Sequence, residues 1–154
     1  MEVALFEPEI PPNTGNIARL CVNANVPLSI IGKPSFDLSE KAVRRAGLDY
    51  WNDLELRMFA NFELFREEKT KANQRILLIS KFGEKTYWDN AFLPDDVLVF
   101  GRETSGIPME IHSLFPKEQI LSIPMGIKSR SINLSNAVAI VLYEALRQKK
   151  FNLG

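Results

Sequence analysis

A polar loop that leads into an apolar helix lies near the end of the chain, where residues 126–147 read GIKSRSINLSNAVAIVLYEALR. The loop carries four side chains able to hydrogen-bond a ligand, Ser129, Arg130, Ser131 and Asn133. A helix N-terminus adds unpaired backbone N–H groups and the positive end of the helix dipole, a combination that binds anions. The pattern therefore indicates a ligand site at this junction, and its structural alternative is an ordinary start of a helix.

A second loop, PEIPPNTGNIAR at residues 8–19, also places amide and basic side chains ahead of a helical pattern. Asn13 or Thr14 could cap the helix, and Arg19 follows within it. The alternative is a capped helix with a solvated arginine, and spacing alone does not separate the two.

A third loop, FGRETSGIP at residues 100–108, has glycines at 101 and 106, where the backbone could approach a ligand closely. Glu103, between them, could orient such a ligand. The loop lacks the Lys-Ser/Thr ending of a phosphate-binding P-loop, and no GxGxxG pattern follows a strand, so ordinary nucleotide-binding folds are disfavoured. In isolation, a plain strand-to-helix turn accounts for this loop better.

These loops must be positioned by the strands and helices around them. Aliphatic runs without alternation predict buried parallel strands at 3–6, 28–31, 75–80, 97–101 and 120–124. Helical patterns lie near 15–25, 38–46, 108–114 and 137–146. We predict a single α/β domain over residues 1–154, with a mostly parallel sheet and helices on both faces. Each loop then follows a predicted strand, at the edge of the sheet where α/β proteins bind ligands.

The last helix is unusually apolar, since Glu144 is its one charged residue between Ala137 and Leu146. An ordinary surface helix has one wet face, so we expect this helix to be buried on most sides. It is either a central core helix or a helix packed against a second subunit, and we favour a homodimer because a short chain has few elements with which to surround it.

The composition excludes several classes of protein. The 154 residues include 19 basic and 19 acidic side chains, so no overall field attracts nucleic acid or membranes, and any site for a polyanion must be local. Cys21 and His112 are the only residues of their types, which excludes an internal disulfide and a cysteine-based metal cluster. His112 is expected on a surface helix. No apolar run is long enough to span a membrane, and the first residues do not form a signal peptide, so we expect a cytoplasmic protein.

Together the three loops resemble the motifs of the SPOUT superfamily of methyltransferases, and within it the small single-domain tRNA 2′-O-methyltransferases that act on the wobble nucleotide. The similar segments are NTGNIAR (13–19), LVFGRETSGIP (98–108), IPMGIKSRSINLSNAVAIVLYEALR (123–147) and RRAGLDYW (44–51). The resemblance implies methyl transfer from S-adenosylmethionine to the ribose 2′-OH of cytidine or uridine at the wobble position of tRNA.

The resemblance also implies a C-terminal trefoil knot, which the usual rules of chain topology would discard. In the family the knot forms the pocket for S-adenosylmethionine, and no metal is required. The positions that would hold the cofactor are Ile79, Gly101, Ile123, Met125 and Ser131. A Cβ at Gly101 is expected to crowd the ligand.

Two residues carry the implied chemistry, Arg19 and Asn133. The family arginine is proposed to help the ribose hydroxyl lose its proton, but an arginine guanidinium is a poor base because it holds its own proton. We therefore expect Arg19 to fix the substrate phosphate and stabilise developing negative charge on oxygen. The implied substrate-binding residues are Asn13, Lys41, Arg44, Arg45, Glu103 and Arg130.

The family works as a homodimer through the first and last helices, and each of its active sites draws on both subunits. One departure from the family is Ser105, where relatives often carry a basic or bulkier residue. An alternative function is a catalytically silent knotted module that binds RNA or the cofactor. Composition and strand order alone would suggest a flavin or nucleotide carrier on an ordinary α/β sheet.

Overall fold

A seven-stranded parallel sheet forms the centre of the molecule. The structure, a computed structural model, describes residues 1–39, 41, 43, 45 and 50–149. The strands are β1 (Glu2–Phe6), β2 (Leu28–Ile31), β3 (Leu56–Phe59), β4 (Ile76–Ile79), β5 (Lys85–Thr86), β6 (Val97–Phe100) and β7 (Ile120–Ser122). They are ordered β3-β2-β1-β6-β4-β7-β5, and every neighbouring pair is parallel.

Helices cover both faces of this sheet, as the sequence predicts. They are α1 (Pro11–Asn23), α2 (Phe62–Lys71), α3 (Met109–His112) and α4 (Leu134–Gln148). One apolar cluster joins α1 and α4 to alternate strand residues such as Leu5 and Leu98, and a second joins α2 and α3 to their neighbours such as Phe6 and Val99. Because side chains alternate between the two faces of a strand, each central strand is buried on both sides.

The five predicted strands are all present, but the edge strands β3 and β5 were not predicted. β3 is only partly buried and β5 has two residues, so neither leaves a continuous apolar run in the sequence. The predicted helix at 38–46 falls largely outside the described residues, and Arg44 is among those outside.

The capping prediction for α1 is wrong. The helix begins at Pro11 with Ile10 as its N-cap residue, so Asn13 and Thr14 lie inside the first turn and are buried. Two prolines extend the helix toward its N-terminus because their fixed φ and missing N–H suit its first positions. Asn13 is thereby free to bond elsewhere.

The last helix, α4, buries one face against the rest of the chain rather than most of its surface. Val138, Val141 and Leu142 are fully buried against the sheet and α1. Ile140 and Tyr143 lie on the opposite face, 37% and 43% exposed. The helix therefore has an apolar face that the rest of the chain leaves uncovered.

A buried ion pair connects α2 to the first strand. Lys69 Nζ lies 2.8 Å from Oε2 of Glu2, and both side chains are almost wholly inaccessible to solvent. Ser29 Oγ donates to the other carboxylate oxygen at 2.5 Å, and the Lys69 ammonium also lies 5.3 Å from the ring centroid of Phe59. Arg57, which is 39% exposed, contacts the same Glu2 oxygen at the longer distance of 3.4 Å. Lys69 is the buried cation of the pair, so its removal would leave the buried carboxylate with only this looser, partly exposed partner.

We expect Lys69→Met to lower the free energy of unfolding by up to about 3–5 kcal/mol, because the buried Glu2 carboxylate would keep only its contact with partly exposed Arg57 at 3.4 Å. Lys71→Met is the matched control, since Lys71 makes an exposed ion pair with Glu67 at 2.6 Å. That change should cost under about 1 kcal/mol in urea unfolding. Equal losses in the two variants would contradict a structural role for the buried pair.

Candidate active site

A cavity of about 320 Å³ opens at the carboxyl ends of three adjacent strands, β6, β4 and β7. Ile79 and Phe100 are the last residues of β4 and β6, and Ile123 follows β7 directly. The loops after these strands and the start of α4 complete the walls. The cavity thus occupies the position where α/β sheets bind ligands.

The sequence-predicted residues divide between the cavity and its surroundings. Seven of them line it, Ile79, Gly101, Glu103, Ile123, Met125, Arg130 and Ser131. Apolar side chains of Phe100, Ile132, Leu134 and Ala137 form further walls, and Arg102, Thr104 and Ser105 add polar groups. Such a combination of apolar walls and convergent polar groups is typical of a site for a small organic ligand.

The loop after β6 is closed by its own backbone. Arg102 and Gly106 exchange backbone hydrogen bonds at 3.2 and 3.0 Å, and Gly106 has a positive φ of 69° that favours glycine. A Cβ on Gly101 would lie 2.3 Å from the carbonyl carbon of Gly106 and 2.4 Å from the nitrogen of Ile107. The neighbouring backbone by itself therefore requires glycine at 101.

The same loop is fastened to the segment between β1 and α1. Arg102 Nε donates to Oε2 of Glu7 at 2.9 Å, and Thr104 donates through its backbone N–H and its hydroxyl to the Glu9 carboxylate. The backbone N–H and then the hydroxyl of Thr104 hold the pKa of Glu9 below its usual value. These contacts fix the cavity wall against the start of α1.

A relay of side-chain hydrogen bonds joins all three loops. Asn133 Oδ1 caps α4 by accepting from Ser135 N at 2.9 Å, so its Nδ2 is left to donate to Asn13 Oδ1 at 3.0 Å. Asn13 Nδ2 then faces Oε1 of Glu103 at 3.4 Å. Glu103 also accepts the backbone N–H groups of Glu9 and Ile10 at 2.8 and 3.0 Å.

Arg19 does not line the cavity. It lies on the exposed face of α1, with its guanidinium carbon 5.0 Å from the ring centroid of Tyr50. Lys41 and Arg45 are exposed and do not line the cavity either. The contacts of the described residues therefore do not bring the predicted catalytic residues Arg19 and Asn133 to one point within the chain.

Sequence reasoning missed the loop after β4, where Ser80, Lys81 and Phe82 also line the cavity. The rule that selects the other loops, proximity to a strand carboxyl end, would have selected this one. The surface position expected for His112 is wrong, because its side chain is only 5% exposed and bonds to Ser80. Among the described residues, no cluster of side chains could hold a metal ion, and no helix is long and apolar enough to cross a membrane.

The parallel sheet, the three loops and the cavity define an α/β protein with a ligand site at the carboxyl ends of its strands. Residues 1–143 match the model of the SpoU rRNA Methylase family. The chain belongs to that family.

Its curated relatives are similar over almost their whole length. A tRNA (cytidine(34)-2′-O)-methyltransferase from Burkholderia cenocepacia (strain HI2424) is 43% identical over 152 residues, which cover 99% of this chain and 97% of the relative. One from Saccharophagus degradans (strain 2-40 / ATCC 43961 / DSM 17024) is 45% identical over 149 residues, with 97% and 96% covered.

Solved structures agree with the sequence relatives. A structure that concerns the 2-OH methylation of C/U34 on tRNA superposes with a TM-score of 0.91 at 38% identity and covers 98% of this chain and 97% of its own. An AdoMet-bound rRNA methyltransferase from Sinorhizobium meliloti has a TM-score of 0.86 at 25% identity; the match covers 95% of this chain and 55% of that one.

We expect Gly101→Ala to disrupt the cavity, because the added Cβ would collide with backbone atoms that cannot move independently of the loop. Gly126→Ala is the control, since a Cβ there meets nothing within 4 Å. Thermal unfolding should show a clear loss for the first variant and a change within about 0.5 kcal/mol for the second. A Gly101→Ala protein as stable as the wild type would refute the proposed collision.

We expect Asn133→Asp to destabilise the protein by about 1–3 kcal/mol, because a carboxylate keeps the helix cap but cannot donate to Asn13. If the Asn13 amide turned to compensate, its oxygen would face the Glu103 carboxylate instead. Asn61→Asp is the matched control, because exposed Asn61 caps α2 by accepting from Leu64 N at 2.9 Å.

The control should be neutral or slightly stabilising, since negative charge suits a helix N-terminus. Chemical denaturation of both variants measures the difference. Identical responses would mean that the relay adds nothing to the cap.

Proposed function

We propose that this protein transfers a methyl group from S-adenosylmethionine to the ribose 2′-OH of the wobble nucleotide, cytidine or uridine, of tRNA. The observation that carries the proposal is the cavity at the ends of β6, β4 and β7, in a chain whose relatives over nearly full length are tRNA (cytidine(34)-2′-O)-methyltransferases. S-adenosylmethionine supplies an electrophilic methyl group, so the reaction needs no metal.

The residues of the cavity fit this cofactor. Ile79, Phe100 and Ile123 offer apolar surfaces suited to the faces of a purine, and the side chains of Ser80, Arg130 and Ser131 offer hydrogen-bonding groups. We propose that Ile79, Gly101, Ile123, Met125 and Ser131 hold it. There is free space beside Gly106 in the cavity wall, since a Cβ built there would have no atom within 4 Å.

For the transfer, the ribose hydroxyl must be aligned and its developing negative charge stabilised. We assign the second task to Arg19, whose guanidinium is exposed and, among the described residues, has no carboxylate within ion-pair distance. Asn133 orients the loop next to the reacting ribose. Arg130, exposed at the mouth of the cavity, is suited to bind a substrate phosphate.

Asn13 and Glu103 take a different role within this proposal. Both are occupied by the relay, so we infer that they support the substrate site by fixing its walls rather than by gripping RNA. Exposed Lys41 and Arg45 remain proposed contacts to the RNA backbone, together with Arg44, which lies outside the described residues.

We also propose a homodimer through α1 and α4. The support is the uncovered apolar face of α4 at Ile140 and Tyr143. The helix α4 is in contact with α1, which carries exposed Arg19, so the two helices are neighbours. A partner seated on these two helices would bring a second Arg19 close to the interface. Arg19 does not line the cavity of its own chain. In a site shared by two subunits, Arg19 of one would act at the cavity of the other.

A trefoil knot is the remaining structural proposal. β4 and β5 are consecutive in the chain, but β7 lies between them, so residues 80–84 have to cross β7. A Cβ on Gly83 would lie 2.5 Å from the carbonyl carbon of Leu121 in β7, so the crossing segment is in close contact with the backbone of that strand. The chain then leaves β7 past that crossing toward α4, which supports threading of the C-terminal segment.

We expect Arg19→Ala to lower tRNA methylation about a hundredfold or more at saturating cofactor, because a donor to developing oxyanion charge is lost. Labelled S-adenosylmethionine, unmodified tRNA and nucleoside identification measure the product. Arg66→Ala, an exposed change on α2 beside Phe115, is the control and should retain wild-type activity.

A wild-type protein that forms no 2′-O-methylated nucleoside while a positive control does would refute the enzyme proposal. Cofactor and RNA binding without turnover would instead favour a catalytically silent module. Equal nonzero rates for the Arg19→Ala and wild-type proteins would refute the placement of the active site.

We expect Tyr143→Glu to dissociate the dimer without unfolding the subunit, because Tyr143 is 43% exposed in the single chain. Leu64→Glu, 50% exposed on α2, is the matched control and should leave the molecular mass unchanged. Analytical ultracentrifugation at micromolar concentration measures the mass. A monomeric wild type would refute the two-subunit site.

A further inference from the structure

His112 is a buried imidazole behind the cavity wall. Its Nδ1 lies 3.0 Å from the carbonyl oxygen of Pro108, and its Nε2 lies 2.8 Å from Oγ of Ser80. It does not line the cavity, and the proposed reaction does not use it. A buried ring with both nitrogens engaged is held in one orientation.

The partners of His112 fix which nitrogen carries the proton. A carbonyl oxygen can only accept, so Nδ1 donates to Pro108. In the neutral ring Nε2 then has a lone pair, and the Ser80 hydroxyl donates to it. The Ser80 oxygen in turn accepts from the backbone N–H of Phe82 at 3.3 Å. The result is a directed chain of hydrogen bonds from Phe82 through Ser80 to His112.

This chain links two walls of the cavity. Residues 80–82 form one wall, and the loop at 101–107, which runs directly into Pro108 and α3, forms another. The ring of Phe82 also meets the imidazole of His112 edge to face, with centroids 5.8 Å apart. The imidazole is therefore a bridge between segments that come from different strands.

We propose that His112 is a positioning residue for cofactor binding, which holds residues 80–82 at a fixed distance from the loop at 101–107 through Ser80. The inference rests on the proposed function, since the ligand of the cavity is S-adenosylmethionine. A wall already held by hydrogen bonds need not be ordered when the ligand binds. His112 thus acts on affinity for the cofactor and leaves the chemical step unchanged.

The central test compares His112→Leu, Ser80→Ala and the double variant by calorimetric binding of S-adenosylmethionine and S-adenosylhomocysteine. Each single variant should weaken binding about three- to tenfold, the effect of one hydrogen bond. The double variant should be no weaker than the single variants, because both changes break the same chain. KM for the cofactor should rise in parallel, and kcat should stay within about twofold.

Two further variants separate positioning from general damage. His112→Gln should recover part of the affinity, since its amide oxygen can accept from the Ser80 hydroxyl. Ser113→Ala, a change at the neighbouring exposed residue, should bind as the wild type does. Nitrogen-15 spectra of the imidazole in the free protein should show the proton on Nδ1.

The outcomes distinguish this inference from the proposed function. Additive losses in the double variant, unchanged affinity in a folded His112→Leu protein, or a proton on Nε2 in the neutral ring would overturn the positioning role. A wild type that binds neither ligand would overturn the proposed function and, with it, this inference. If His112→Leu fails to fold, His112→Gln and the spectra decide the matter, because Ser80 itself lines the cavity and its variant could also lose a direct contact. His112→Gln should then bind more weakly than the wild type, and equal affinity would overturn the positioning role.

Discussion

The contact between Asn13 and Asn133 is the interaction on which the rest of the site depends. These residues are 120 positions apart, and Asn13 is in turn 90 positions from Glu103, yet the three side chains form one hydrogen-bonded series. The series has a direction because Asn133 uses its oxygen to cap α4. Asn13 is buried and both amides have fixed donors and acceptors, so the hydrogen bonds connect the start of α1, the loop after β6 and the start of α4.

Glu103 shows how this unit is stabilised at its other end. The two prolines that open α1 have no N–H groups, and the carboxylate instead accepts the N–H groups of Glu9 and Ile10 just before the helix. A negative charge at this position also suits the positive end of the helix dipole. The carboxylate is thereby committed to the fold.

Much of the fold could be predicted because the central strands are buried on both faces and so leave continuous apolar runs. β3 and β5 lie at the edges of the sheet, where burial is partial and the sequence pattern is weak. The predicted N-cap of α1 was wrong because the local pattern at Asn13 does not show that the helix already begins at Pro11. The relay could not be predicted at all, since it depends on amides brought together by tertiary contacts.

The location of the cavity could be predicted from the sequence better than the physical role of each residue that lines it. Residues that follow strand ends converge because parallel strands present their carboxyl ends at one edge. Gly101 was selected correctly as a position that tolerates no side chain, but the colliding atoms belong to the loop itself. The sequence indicates that a glycine is needed, and only the folded chain identifies its neighbour.

The balanced net charge is compatible with a local site for RNA because the charges are not distributed evenly. Several basic residues are neutralised within the fold, among them Lys69 by Glu2, Arg75 by Asp96 and Arg102 by Glu7. Among the described residues, Lys81 and Arg130 line the cavity without an ion-pair partner of this kind. Arg102 and Glu103 also line the cavity, but Arg102 is paired with Glu7 and Glu103 is occupied by the relay. Lys81 and Arg130 are thus the positive groups suited to a phosphate at this site.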